Sequence, residues 1–232
     1  MLALQKPAAA DSRSVRSVAT RAKLVAIAER LFAERGIEGV SLNDINKAAG
    51  QRNKNCTHYH FGSKDGLLQA ILDKHEPGVS ARRNALLDEF EARGPLTLRL
   101  LVRAMVQALA EKLYDADGGC DFLRFNAQLV LTHTMAALKL HQATFNVSKV
   151  DRLTNAIRGV TPDLPEALSH QRGILVAVTM MHGLAEHARL LEHGDRSSAL
   201  ANTELFVANL EDCLVAMLGA EPSLETRGLL RR

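Results

Sequence analysis

Between Gly50 and Leu68 the chain reads GQRNKNCTHYHFGSKDGLL, and three kinds of chemistry could use those side chains. Cys56, His58 and His60 alternate along the segment and offer one sulfur and two nitrogen donors to a metal ion. The two histidines could instead serve as a general acid–base pair. Arg52, Asn53, Lys54, Asn55, Thr57 and His58 could meet an anionic surface, because Arg, Lys and Asn pair bidentately with guanine and adenine edges in a DNA major groove.

Helical geometry weakens the first option. Successive residues of an α-helix turn by about 100°, so Cys56 and His60 share a face while His58 points about 160° away. No Cys-x-x-Cys or His-x3-His pair lies nearby to complete a four-ligand set. The acid–base option lacks a nucleophile and an orienting carboxylate at a recognisable spacing within residues 40–75. We therefore expect no catalytic residue, metal or cofactor here. The anionic-surface option accounts for more residues at once. The segment after Gly50 is polar round most of its circumference, where a surface helix would show three or four apolar residues in two turns. Tyr59 and Lys64, with Ser41 at a helix start, suit phosphate contacts. Gly50 supplies a turn with positive φ, and Phe61 returns the chain to the core. A solvated polar loop is the competing account.

The surrounding elements read as helices. Ala and Leu dominate an apolar content of 47%, aromatics are 4% and Trp is absent, so the composition is that of an all-α protein. Val18, Ala22, Val25, Leu31 and Phe32 recur at three and four, predicting a helix from Arg16 to Arg35 closed by Gly36. Ser41 has N-cap chemistry with Asp44 three residues on, predicting a short helix to Gly50. A second short helix is expected from Asn53 to Tyr59, and Ser63 caps a third. Beyond it, Pro77 is expected to open a helix to Arg93. Further helices are expected over Leu96–Tyr114, Asp121–His133, Met135–Arg158, Glu166–Glu192 and Ser198–Leu218. The domain expectation is a flexible arm over 1–15, a basic helical head over 16–75, a larger helical body over 76–220 and a tail over 221–232.

Charge separates head from body. Residues 1–75 carry twelve Lys/Arg and seven Asp/Glu, whereas the remainder carries 17 and 19. An anionic partner is thus expected for the head. Three scattered cysteines argue against a disulfide frame. The poor signal-peptide character of the first residues and the lack of an evident membrane-spanning run lead us to expect a cytoplasmic protein with no membrane partner.

The order AERLFAERGIEGVSLNDINKAAG followed by YHFGSKDGLLQAI resembles the TetR family of bacterial transcriptional regulators over roughly residues 20–72. The resemblance implies a homodimer whose helix-turn-helix heads bind a palindromic double-stranded operator as a repressor, and a body that takes a small-molecule effector. Carried onto this sequence, it implies that helix 2 begins at Ser41 with Asn43 facing the DNA backbone. Lys54, Asn55, Cys56 and His58 would lie on the recognition helix, Tyr59 on a phosphate and Lys64 on another. Two departures stand out. Asn46 replaces a usual Ala beside the turn, where it could add a hydrogen bond, and the Gly50–Phe61 stretch is one residue longer than the commonest form. The extra residue falls at Gln51–Asn53 and loosens the assignment of Arg52 and Asn53. Thr57 stands at a usually apolar place, either buried or facing bases.

The body carries no motif that names a ligand. Arg103, Phe122, Phe125, Gln128, His133, Arg172, Thr179 and His182 are candidate effector contacts for a largely apolar cavity, with ordinary core packing as the alternative. The last two long helices, with Ile174, Val178, Met181, Leu184, Leu205, Val207, Leu210, Leu214 and Met217, hold more apolar surface than one packing face needs. A four-helix dimer interface or plain core would each use it. An all-α enzyme or carrier using His133, His141, His182 or His187 is the alternative function.

Overall fold

A computed structural model describes residues 9–138, 151–195 and 197–230, with side chains described for 15–130, 152–195 and 197–230. It is helical throughout these residues, with no strand among them. The first helix, α1 (Ala9–Arg35), begins earlier than expected and takes in part of the predicted arm. Its stripe of Leu24, Val25, Ala28, Leu31 and Phe32 is buried. Burial of a Leu or Phe side chain contributes roughly 1.5–3 kcal/mol, so this one face holds the head together. Gly36 ends the helix with φ +77°, a conformation that glycine adopts without a Cβ penalty.

α2 (Leu42–Ala48) starts at a reciprocal capping box. Ser41 Oγ accepts the Asp44 N–H at 3.2 Å, while the Asp44 carboxylate accepts the Ser41 N–H at 3.1 Å. Those bonds, the hydroxyl's first, hold the Asp44 carboxyl below its ordinary value. α3 (Cys56–Phe61) follows, and Ser63 then caps α4 (Lys64–Glu91) by accepting the Gly66 N–H at 3.0 Å. α4 differs from expectation. It runs through Pro77 as one 28-residue helix rather than starting there. Proline removes one backbone donor, but buried Leu72, His75, Val79 and Arg83 on both sides of it supply the packing that carries the helix across.

The body comprises α5 (Leu98–Ala110) with a 3-10 turn at Glu111–Tyr114, α6 (Gly119–Leu138), α7 (Asp151–Val160), α8 (Glu166–His193) and α9 (Thr203–Gly219). A short α10 (Leu224–Leu229) follows. The two helices expected on either side of Thr134 are one, α6, as far as Leu138. α6 is central, packing on α8 and on α1, while α5 packs on α4 and α9. One apolar core therefore runs without a break from Leu24 and Phe32 in the head to Leu184, Leu210 and Leu214 in the body. α7 is tied to α4 by Leu153 packing near Leu87 and Phe90, and by Arg152, which pairs with Asp88 and Glu91 at 2.7 Å each.

α8 is long and apolar enough to cross a membrane by length and composition alone, although Glu186 and Arg189 interrupt its apolar run. Core helices pass the same measure. Here Val176, Met180, Leu184, Ala185 and Ala188 are buried as α8 packs on α6 and α9.

Candidate nucleic-acid interface

The expected recognition helix is shorter and starts later than the sequence implied. α3 holds six residues, and Arg52, Asn53, Lys54 and Asn55 precede it on an exposed turn. Side-chain competition accounts for the shift. Asn53 Oδ1 accepts the Asn55 N–H at 2.9 Å, a local bond that favours a turn over a helix. His58 and Tyr59 are exposed on α3, Tyr59 by 83%, while Cys56 and His60 are half-buried. Gly50, with φ +68°, makes the corner between α2 and the turn. From Ile45 to Lys64 there are four Lys/Arg and no Asp or Glu, a run of one sign that the sequence already displayed. Among the described residues neither Arg52 nor Lys54 is engaged in an ion pair.

Thr57 requires a correction. Grouped with the DNA-facing residues but standing at a place either buried or facing bases, it is fully buried, and its hydroxyl donates to Asn46 Oδ1 at 2.6 Å. The same Asn46 oxygen accepts the Thr57 N–H at 3.0 Å, and Asn46 Nδ2 donates to the Lys54 carbonyl at 2.6 Å. The departure from Ala at residue 46 thus carries added hydrogen bonds, inward rather than toward DNA.

The remaining candidates surround this corner. Asn43 is exposed on α2, as is Ser41 before it. The Ser41 hydroxyl proton is spent within the capping box, donated to Asp44 Oδ2 at 2.5 Å. Lys64, half-buried at the start of α4, has its ammonium 5.8 Å from the centre of the Phe32 ring. Phe61 packs on the core, and Arg21 of α1 lies 5.1 Å over its ring.

A second polar cluster, absent from the sequence reading, joins head to body. Glu29 of α1 is 1% exposed and His75 of α4 is 2% exposed. Glu29 Oε1 lies 2.5 Å from His75 Nε2, and Glu29 Oε2 lies 3.0 Å from the Lys74 ammonium. Lys74 also donates to the Asp117 carbonyl at 2.8 Å. Lys112 Nζ is 3.1 Å from His75 Nδ1 and 2.7 Å from Asp115 Oδ2. An ammonium only donates, so Nδ1 accepts and Nε2–H faces Glu29. The His75 ring stacks on Phe122 of α6 at 4.3 Å. Burial alone would lower the Lys74 pKa, but the Glu29 and Asp117 contacts outweigh it and raise it. Gly118, at φ +81°, closes the loop against this cluster, where an added Cβ would come within 2.8 Å of Glu29 Oε2. The available signal was a Glu and a His lying on the apolar stripes of two helices.

The effector candidates lie on α5, α6 and α8, of which α6 and α8 pack against each other. Phe122 and Phe125 are fully buried core residues, Phe125 lying 6.3 Å from Phe32 of α1, so they weld body to head. Gln128 approaches Gly36 at the end of α1. Arg172 donates to the Leu218 carbonyl at 3.2 Å. Thr179 is half-buried on α8, and His182 carries a buried Nε2 with no hydrogen-bond partner. The side chain of His133 and the whole of His141 lie outside the described residues. His187 stacks on Phe206 and shares a hydrogen bond with Thr203 at 2.9 Å; burial lowers its pKa. Arg103 lines a groove of about 410 Å³ between α5 and α9, with Gln107, Tyr114, Thr203, Val207 and Glu211. There its Nε donates to buried Glu211 at 3.1 Å. Among the described residues no three His, Cys, Asp or Glu side chains are placed to share a metal ion.

Known proteins resemble the chain both at this corner and along most of its length. Residues 24–71, from α1 into α4, match the sequence profile of the bacterial regulatory proteins of the tetR family. The HTH-type transcriptional regulator TtgR of Pseudomonas putida is 28% identical over 88% of this chain and 94% of its own. The HTH-type transcriptional repressor KstR2 of Rhodococcus jostii is 35% identical over 47% of this chain and 48% of its own. A solved TetR-family regulator from Pectobacterium atrosepticum aligns over 90% of this chain and 98% of its own, at 22% identity and a TM-score of 0.37. With its capped helix pair, glycine corner and matching profile, the chain belongs to the TetR family of bacterial transcriptional regulators.

Proposed function

We propose that this regulator is a ligand-responsive repressor that binds a palindromic operator as a homodimer. The observation that carries the DNA-facing part is the run from Ile45 to Lys64, which is free of acids and exposes Arg52, Asn53, Lys54, Asn55, His58 and Tyr59 around one corner. Arg, Lys and Asn read base edges, while Tyr59, Lys64, Asn43 and Ser41 suit the phosphates around them. Repression is supported by the name of KstR2, itself a transcriptional repressor. Dimerisation through α8 and α9 is supported by Leu175 and Leu205, 56% and 59% exposed, and by half-buried Ile174, Val178, Met181, Val207 and Met217. Leu184, Leu210 and Leu214 belong to the core of the single chain instead. The groove between α5 and α9 falls in the size range of small-molecule sites and supports a body that binds an effector.

Titration of a duplex selected from a random pool tests the reading. Affinity should fall steeply with salt, log K dropping by about 0.9 per neutralised phosphate per decade. Lys64→Ala should weaken all duplexes alike, whereas Asn55→Ala should cost about 1–3 kcal/mol mainly on the selected sequence. Salt-independent binding would sink it.

A further inference from the structure

We infer that Asn46 is a positioning residue for base reading: one buried amide on α2 caps α3 from outside and fixes the turn that carries Lys54. The inference rests on the DNA-binding reading above. α3 lacks a cap of its own, since Asn55 at its N-cap position makes no side-chain bond to the helix. The first turn of any helix leaves backbone N–H groups without intrahelical acceptors. Here the acceptor for Thr57 N–H comes from the preceding helix, Asn46 Oδ1 at 3.0 Å, nine residues before the N-cap. The other end of the same amide holds the Lys54 carbonyl at 2.6 Å.

The amide can point only one way. Its oxygen faces two donors, the Thr57 N–H and hydroxyl, and its nitrogen faces a carbonyl; a flip would oppose like groups on both sides. At 1% exposure no water stands ready to replace these bonds. The backbone reinforces the arrangement, with the Gln51 N–H donating to the Asn46 carbonyl at 2.9 Å. Offset and tilt of α3 against α2 are thereby set by one side chain. The exposed residues on either side of it, Lys54 and Asn55 before and His58 and Tyr59 after, inherit that offset. Hydrogen-bonded base reading demands placement to a fraction of an ångström, whereas a phosphate contact by a long, flexible cation tolerates more. Loss of the amide should therefore cost sequence discrimination more than general DNA affinity.

The test compares the full-length wild type with Asn46→Ala and with Thr57→Val, which removes the hydroxyl but keeps the capped N–H. The probes are the duplex that wild type selects from a random pool and a scrambled duplex, each titrated over a salt series. We expect Asn46→Ala to lower the selected-to-scrambled affinity ratio by about tenfold or more, the size of one lost base contact, with the salt slope unchanged. Thr57→Val should lower it by a smaller factor, and reselection with Asn46→Ala should return a relaxed half-site. A purely structural role would weaken both duplexes equally, and an unchanged ratio overturns the inference. If Asn46→Ala does not fold, Thr57→Val decides by the same ratio. If wild type itself selects no sequence, the DNA-binding reading fails; a selective wild type beside an equally selective variant defeats the positioning role alone.

Discussion

At the α2–α3 corner the buried polar groups are an amide and a hydroxyl, Asn46 and Thr57; where α1 and α4 meet the body they are a carboxylate and an imidazole, joined by two half-buried ammonium groups. Both clusters lie almost wholly out of water at their centres, and both pin one helix to another. The neutral one is inexpensive to bury, and each of its bonds has a single direction, so it fixes an angle. The ionised one carries a desolvation cost that only complete pairing offsets, so it holds firmly while intact and fails badly when one member goes. The shape of the reading head and its attachment to the body thus rest on different physics, and each can be disturbed without titrating the other.

Glu29→Ala should give the largest effect. It takes the carboxylate from buried His75 and leaves Lys74 with Asp117 alone, and removal of one partner from a buried pair costs about 3–5 kcal/mol. Denaturant unfolding monitored by circular dichroism measures it; a loss under about 1 kcal/mol would erase the contrast drawn above. Asn46→Ala should come next, at about 1–3 kcal/mol, because it leaves two donors and the Lys54 carbonyl without partners in a dry site. The two clusters should then separate by pH. Lys74 has its pKa raised above the ordinary 10.5, so its contribution is fully present below 10.5 and is lost as pH rises through the folded value. Asp115 is held below 3.8, chiefly by the Lys112 contact, so its contribution is present above 3.8 and is lost as pH falls. The stability gap between wild type and Lys74→Met should narrow above pH 10.5, while the gap to Asn46→Ala stays constant there. Last, Tyr59→Ala should change stability by less than about 0.5 kcal/mol, since the ring is 83% exposed, while still weakening DNA binding in the titrations above.

What could be read from the sequence was what is local. The Ser41–Asp44 box, the Ser63 cap and the glycines at 36 and 50 all act within a few residues, and the letters alone place them. Asn46 was visible as a residue out of place, but its partner lies eleven residues on. Without that partner the sequence leaves Thr57 open between burial and an outward face. The Glu29–His75 pair spans 46 residues of sequence, and only packing of α1 against α4 brings it together. Pro77 misled for the same reason. Tertiary burial carried a helix through the proline, and it turned Phe122 and Phe125 into the weld between head and body.

The borrowed cap also orders events in time. A helix of six residues lies far below the ~12–15 needed for even marginal stability alone, and α3 lacks a local substitute for the bond that Asn46 provides. It cannot nucleate; it must wait until α2 is seated against α1. In the language of folding rates, substitutions confined to α3 should leave refolding almost untouched and act by speeding unfolding. The segment proposed to meet the bases is then the last part of the head to take its shape and the first to lose it.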